Sequence, residues 1–360
     1  MEEAHIITHS VQKKERSPIM TKNVHFVGLD IACDDFAASI YQSPKQSIIT
    51  KEGIENTFKG FNVFIQWLKE HRLSKTNSII CMEATGVYSE AIAHYLVSQG
   101  FRVSVEPPLK VKRAFDPIGH KTDAVDSKQI AEYAYRYSDE LRFWKPKDEI
   151  MEKTKHLLTA REQFVKQSTA IQNAMKSYEK HIVQVSLIVK AHRQTLREIK
   201  KHITEIDKEL DRIIRQNPSI SKMNNQLKSI PGYGLLLSAS LITLTGAFSD
   251  ISHHKTLAAF LGICPYQHQS GKSIYRQPHM RSFGPAYPRK LLTLAARSVA
   301  THNDVFKKYY ARKLAEGKDK KLVLNNISNK LIKLACALIK NNSRYTATYR
   351  SVNPMFLDIY

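Results

Sequence analysis

Val24-His-Phe-Val-Gly-Leu-Asp-Ile-Ala32 decides the fold of the first third of this chain. It is a short apolar run, rich in β-branched and aromatic residues, that ends at an acid. Such a run reads as a buried strand. Working outward, residues 36–41 and 46–50 read as two more strands. Residues 58–73 carry Phe58, Phe61, Phe64, Ile65 and Leu68 at helical spacing. Residues 78–83 form a fourth strand, 88–98 a helix and 101–105 a fifth strand. Residues 122–137 form a helix with Thr122 as N-cap. The order β-β-β-α-β-α-β-α predicts an α/β domain, a mixed sheet covered by helices.

Beyond that domain the punctuation changes. No Gly lies between Gly119 and Gly232, and no Pro between Pro146 and Pro218. Ile171, Met175, Tyr178, Ile182, Val185, Val189, Leu196, Ile199, Ile203, Ile206, Leu210 and Ile213 follow one another at steps of three and four, with His192 in one expected place. That seam predicts a coiled coil, through which the chain forms a homodimer or a tetramer, or else a helical hairpin within one chain; His192 marks an expected bend. The predicted organisation is a disordered tail (1–20), the α/β domain (21–145), coiled-coil helices (146–225), a mainly helical C-terminal domain (226–345) and a tail (346–360).

The charge balance narrows the function. Lys and Arg number 55 against 33 Asp and Glu, for a net charge of +22. This disfavours an acidic-partner scaffold or an ordinary metabolic enzyme and favours a polyanion. No run approaches 18 consecutive apolar residues and residues 1–20 hold no hydrophobic signal core, so neither a membrane partner nor secretion is expected. Cys33, Cys81, Cys264 and Cys336 form no CxxC pair. The expectation is a cytoplasmic protein, bacterial or archaeal, with nucleic acid as its partner.

Four acids stand where metal-dependent phosphodiester chemistry would need them. Asp30 ends the first strand and Glu83 the fourth. Asp123 and Asp126, three residues apart, share one helix face. Clustered carboxylates repel unless a cation neutralises them, and Mg²⁺ takes a few carboxylates with waters and phosphate oxygens. Singly, each acid could be a cap or turn residue. Their order on this frame resembles the RNase H-like nucleases of the RuvC type. Gly-x-Asp also opens sugar-kinase and actin-like ATPase domains, which need a second phosphate loop that is not found.

The C-terminal domain has two features. Ile230-Pro-Gly-Tyr-Gly234, between helical segments, has the pattern of a helix-hairpin-helix turn, in which Gly232 and Gly234 would let backbone N–H groups meet a phosphate. Residues 265–321 carry 13 Lys and Arg against three acids, with seven interleaved Tyr and Phe. This suits a nucleic-acid face with contacts from Gly271, Lys272, Arg276, Arg281 and Arg289. Gly271-Lys-Ser273 is not a P-loop, because position 266 is Tyr and no strand is expected to feed it. By composition alone, Ser270 is a turn residue.

The ordered set Gly28-Leu-Asp30, Cys81-Met-Glu-Ala-Thr-Gly86, Lys121-Thr-Asp-Ala-Val-Asp126, Ile230-Pro-Gly-Tyr-Gly234, Leu257-Ala-Ala-Phe-Leu-Gly-Ile-Cys-Pro265 and Gln269-Ser-Gly-Lys-Ser273 resembles the DEDD transposases of the insertion sequence 110 family, including the 1111 subgroup. The resemblance spans about residues 21–342. It implies a RuvC-like domain, a coiled coil and a transposase domain. It also implies that Asp30, Glu83, Asp123 and Asp126 hold Mg²⁺, with Mn²⁺ able to replace it, and that Ser270 is the nucleophile. The implied activity is cleavage and rejoining of donor and target DNA guided by an element-encoded non-coding RNA, at a site shared between protomers. Cys33 and the segment Met280-Arg-Ser-Phe-Gly-Pro-Ala-Tyr-Pro-Arg289 depart from the family pattern; Pro285 and Pro288 are expected to shorten the next helix. The alternatives are a RuvC-like junction endonuclease using water, and a non-enzymatic nucleic-acid binder on a degenerate nuclease fold.

Overall fold

The computed structural model describes residues 24–42, 47–115, 122–146, 148–270, 274–280 and 284–346. The predicted tail 1–20, and residues 347–360 of the other, lie outside them. The chain divides into two units, residues 1–146 and 147–360.

The first unit is built on β1 (His25–Ile31), β2 (Asp35–Gln42), β3 (Ser47–Glu55), α1 (Phe58–Glu70), β4 (Ser78–Glu83), α2 (Val87–Ser98), β5 (Arg102–Glu106), α3 (Pro108–Lys112) and α4 (Asp123–Arg136). The sheet order is β3-β2-β1-β4-β5. The first three strands pair antiparallel, while β1, β4 and β5 run parallel. This mixed sheet agrees with an RNase H-like domain. The parallel strands need crossovers, which α1 and α2 supply.

Strand alternation gives the sheet two apolar faces. Val27, Leu29, Ile31, Ile80 and Met82 pack with Phe61, Phe64, Leu68, Ile92 and Leu96. Phe26, Ile79 and Cys81 pack with Ile130, Ala131 and Ala134 of α4 on the other face. Each Val, Leu, Ile, Met or Phe side chain among them, fully buried, contributes roughly 1.5–3 kcal/mol against the entropy of ordering.

The second unit begins with α5 (Glu149–Tyr178) and α6 (Ser186–Gln216), an antiparallel pair. The seam residues Ile171, Met175, Val189, Leu196, Ile203 and Ile206 are half-buried and Ile199 is buried. The chain turns over residues 179–185, not at His192, which stays inside α6 at a half-buried seam position. The near partner of the seam is therefore the other arm of one chain. Ile182 and Val185, read as seam residues, stand exposed at the tip with Val183, Leu187 and Ile188.

The base of the hairpin is no independent layer. Met151, Leu158, Leu210 and Ile214 enter the second core. That core also takes in α7 (Pro218–Lys228), α8 (Leu235–Leu244), α9 (His254–Phe260), α10 (Ala286–His302), α11 (Asp304–Ala315) and α12 (Lys320–Lys340). Between α9 and α10 stand β6 (Pro265–Ser270) and β7 (Ile274–Met280), an antiparallel hairpin in an otherwise helical unit. Among the described residues α12 alone is long and apolar enough to cross a membrane, by length and composition. Its Val323, Ile327, Leu331, Ile332 and Ala335 are core residues.

Candidate active site

The four acids predicted in the first unit come to one edge of its sheet. The parallel register of β1 and β4 places Leu29 beside Met82, and Asp30 and Glu83 are the next residue on each strand. Both alternate with residues that face away from α4, so both stand on the α4 face. Asp123 and Asp126 occupy the first turn of α4, whose N-cap Thr122 accepts a hydrogen bond from the Val125 N–H at 3.3 Å. Asp30, Glu83 and Asp126 are half-buried and Asp123 is exposed.

Gly28 sets how closely α4 can approach. A Cβ there would lie 2.2 Å from the backbone N of Ala131 and 2.3 Å from the carbonyl oxygen of Ser127. The helix therefore rests on bare backbone, one turn past its acids. Ser127 adds a buried hydroxyl contact with Ser39 at 2.8 Å, and Ser39 meets Thr50 at 2.9 Å. The contact fixes α4 across β1 and β2, which brings its first turn to the strand ends.

A fifth acid, absent from the sequence reading, belongs to this edge. Glu106 pairs directly with Glu83 across β4 and β5. It is buried, accepts a hydrogen bond from the Ser104 hydroxyl at 2.9 Å and meets the Lys110 ammonium at 3.2 Å. The Tyr133 hydroxyl first, and then Glu106, raise the pKa of Lys110. A buried carboxylate needs such partners. The alternation Ser104-Val-Glu106 followed by Lys110 is the signal that could have revealed it. Burial, reinforced by Glu106 and Glu83, pushes the Cys81 thiol well above its ordinary range. Cys81 is thereby held as a neutral core residue.

The donors at this edge are carboxylates, the set that suits a hard cation. Among the described residues, however, no three His, Cys, Asp or Glu side chains form a group that could hold a metal ion. Asp30 and Glu83 are sheet neighbours and Asp123 and Asp126 share one helical turn, but the two pairs are not gathered into a cage.

In the second unit Ser270 closes β6, with Ile274 as its Cα partner. The expectation that no strand feeds Gly271-Lys-Ser273 is thus corrected. The strand returns as an antiparallel partner rather than leading into a helix, so a P-loop remains excluded. Tyr266, Gln269 and the paired Tyr275 gave no clean two-residue alternation, which hid the hairpin. Arg276 lies in β7 opposite His268. Gly271, Lys272 and Arg281 lie outside the described residues.

The feet of this hairpin are fixed. Gly284, at φ +92°, approaches the carbonyl oxygen of Phe260 so closely that a Cβ would sit 2.1 Å from it. The Asn325 amide on α12 donates to the Ile263 carbonyl at 2.9 Å, two residues before β6. Pro285 is the N-cap of α10 and Pro288 lies buried in its first turn, so that turn tolerates both prolines. Arg289 is half-buried on α10.

Gly232 and Gly234 shape the turn between α7 and α8. Gly232, at φ +81°, leaves room for α10: a Cβ would meet Val299 Cγ1 at 2.8 Å and the Ala295 oxygen at 3.0 Å. Close helix packing accounts for this glycine. Gly234 is exposed, precedes α8, and has open space within 4 Å of where a Cβ would stand. Nearby, the Arg161 guanidinium grips Asp207 through both oxygens at 2.6 and 3.0 Å, tying α5 to α6.

Two family models match the chain. One, a transposase model of the DEDD IS110 type, covers residues 27–184. The other, the transposase IS116/IS110/IS902 family, covers residues 224–311. Together they span more than half of the chain. The chain belongs to the IS110 family of transposases. The transposase is 28% identical to the pilin gene-inverting proteins of Moraxella lacunata and Moraxella bovis, over 88% of this chain and 96% of theirs. It is 24% identical to the transposase for insertion sequence element IS1111A of Coxiella burnetii, over 93% of this chain and 94% of that one. The transposase is thus an enzyme of DNA recombination.

Proposed function

We propose that this transposase moves its own insertion sequence by a serine-dependent cut-and-rejoin reaction. The observation that carries the reading is the placement of Asp30 and Glu83 on neighbouring strand ends, with Asp123 and Asp126 delivered to the same edge by the Gly28–Ser127 contact. Asp30, Glu83, Asp123 and Asp126 would hold Mg²⁺, or Mn²⁺ in its place. A divalent cation bound there would neutralise charge on a phosphodiester. Mg²⁺ keeps several water and phosphate ligands, so the strand-end pair Asp30 and Glu83 is a sufficient protein share to begin with, and Asp123 and Asp126 would have to draw in around the cation.

Ser270 is the proposed nucleophile. Its Oγ forms a bond to phosphorus, the P–O3′ bond breaks, and the 3′ oxygen leaves with a proton. A 5′-phosphoserine ester remains, and attack by a new 3′ hydroxyl reverses the step. Donor and target DNA would be selected by pairing with an element-encoded non-coding RNA, as the resemblance implies. Gly271, Lys272, Arg276, Arg281 and Arg289 are the proposed backbone contacts near the serine, with Gly234 on the open face of its turn.

The same reading has a homodimer or tetramer act through the α5–α6 hairpin, whose tip exposes Ile182, Val183, Val185, Leu187 and Ile188. Ser270 of one protomer would serve the acids of another. The family resemblance supports this arrangement. The helical spacer does not, because both arms of the hairpin return to one core and its length sets no distance between serine and acids.

The test is complementation. Asp30→Ala and Ser270→Ala proteins, each inactive alone, regain cleavage when their subunits exchange if the site is shared. No recovery after proven exchange would reject the shared site. Full activity of Asp30→Ala would reject the acid site, and full activity of Ser270→Ala would leave the water-using nuclease.

A further inference from the structure

A polar cleft in the second unit belongs to neither region described above. It has a volume of about 630 Å³ and lies between the end of α6, one face of α7 and the segment that follows α12. Seven of its eight lining residues are polar or charged, and the eighth is Pro218. Sites for small organic molecules are lined mainly by apolar and aromatic side chains, so this lining does not suit one. No carboxylate is among the lining residues. On α7, Pro218, Ser221, Lys222 and Asn225 recur at steps of three and four, which puts them on one helix face. Ile220 and Leu227 of the same helix enter the core.

Three cations line the cleft. Arg215 pairs with Asp211 at 2.7 Å, so its charge is shared. Lys222 and Arg344 are exposed, and among the described residues neither makes an ion pair. The fold builds the place of Arg344. Past the end of α12, Asn342 takes φ +49°, a left-handed conformation that Asn tolerates. Its N–H donates to the Ile339 carbonyl at 3.2 Å and the Ser343 N–H to the Leu338 carbonyl at 3.0 Å, which closes the helix and turns the chain. The segment is then tied to α7 twice. The buried Gln226 amide donates to the Asn342 side-chain oxygen at 3.0 Å, and the Ser229 hydroxyl accepts from the Tyr345 N–H at 2.9 Å. Arg344 lies between these two ties. Backbone held in this way loses less freedom when a ligand arrives. Arg, Lys, Ser and Asn side chains, the kinds that line this cleft, are donors to nucleic-acid phosphates.

We propose that this cleft holds the phosphodiester backbone of duplex DNA, with Lys222 and Arg344 as its charge contacts. The proposal rests on the assignment of the chain to DNA recombination and names a surface for it. That assignment favours DNA over RNA as the occupant. Contacts to phosphate position a strand and carry no sequence information. Binding here should therefore be independent of sequence and dependent on salt.

The experiment measures binding of the full-length protein to duplex DNA, in specific and scrambled sequence, and to a folded RNA, across a salt series. The variant Lys222→Gln, Arg344→Gln leaves the Arg215–Asp211 pair in place; thermal unfolding checks its fold. On duplex DNA the expected result is an affinity loss of about tenfold, equal for both sequences, with the slope of log affinity against log salt smaller by about 1–2, since each phosphate contact contributes ~0.9. Lys222→Gln alone, which cuts neither tie, should lower the slope by about half as much. The charge-keeping variant Lys222→Arg, Arg344→Lys should retain the wild-type slope. Lys59→Gln, Lys69→Gln on α1 removes as much charge from elsewhere and should change the slope less. An equal change in that control, or unchanged affinity and slope in the cleft variants, overturns the cleft as a DNA site. A loss confined to RNA overturns DNA as its occupant. If the wild type binds DNA all the same, only the cleft fails. A wild type that binds no DNA overturns both the cleft and the reading beneath it.

Discussion

Gly28→Ala tests how the acidic edge is assembled, because it changes no acid. The added methyl would lie 2.2 Å from the Ala131 nitrogen and 2.3 Å from the Ser127 oxygen. Real Cβ contacts essentially never fall below 3.0 Å, so α4 must withdraw from β1 by roughly 1 Å. Overpacking of this kind costs about 1–3 kcal/mol. The movement also carries Asp123 and Asp126 away from Asp30 and Glu83. A displacement of about 1 Å at a reacting centre can cost ~100-fold in rate. The expected variant is folded, less stable by about 1–3 kcal/mol in urea, and slower in strand cleavage by ~100-fold. Because both clashing atoms are backbone, trimming the neighbour with Ala131→Gly should not restore it. Wild-type stability and wild-type cleavage in Gly28→Ala would refute the account of how α4 is seated. A fall in stability without a fall in rate would refute the link between that seat and the acids.

Other parts of the structure make separate predictions. Asn325→Ala leaves the Ile263 carbonyl short of a donor and should cost about 1–3 kcal/mol; cleavage measured well below the unfolding range should fall more than stability predicts, and an unchanged rate would show that this anchor does not govern the serine strand. Arg161→Met strands Asp207 in a partly buried place and should lower the urea midpoint by the equivalent of about 1–3 kcal/mol; an unchanged midpoint would mean the pair is idle. Chelation of divalent cations should abolish cleavage but leave non-specific DNA binding in place, and cleavage in excess chelator would remove the metal from the reading. For Lys330 the folded pKa lies below its ordinary value of 10.5. Between the two values the unfolded chain binds the extra proton, so this group makes stability rise with pH in that window. Lys330→Met should flatten that rise in denaturant midpoints, and an identical pH profile would contradict the desolvation of its ammonium.

The first unit was legible because its strands are buried on both faces or alternate cleanly. β4 falls on residues 78–83 as read, and Thr122 caps α4 as expected. Glu106 escaped because the fifth strand was read as ending at residue 105, one residue short of it; its partner Lys110 lies in a short helix, α3, that was not read from the sequence. The turn of the central hairpin was misplaced to His192 because apolar residues continue through residues 179–185 at the same spacing, and a period cannot distinguish a packed seam from an exposed tip. The β6–β7 hairpin was missed because its strands mix His, Gln and Arg with Tyr. The segments on either side of it are held by contacts distant in sequence, Gly284 against Phe260 and Asn325 on Ile263, which no local pattern reports. The acids were found by their order along a recognisable frame, and their meeting at one edge depends on a glycine whose role is visible only in the packed structure.

The hairpin of α5 and α6 leaves the second core and comes back to it, with Met151 and Leu158 on the outgoing arm and Leu210 and Ile214 on the returning one. Everything beyond those anchors can change length without disturbing the residues that hold the unit together, provided both arms change by matching amounts. A loss of seven residues from one arm alone would slide its apolar stripe past its neighbour; the same loss from both would only shorten the arm. Over evolutionary time the segment should therefore vary by paired insertions and deletions near residues 179–185, in steps of about seven residues that keep the stripe in phase. The reach of the arm can thus drift between lineages while the core at its base stays the same.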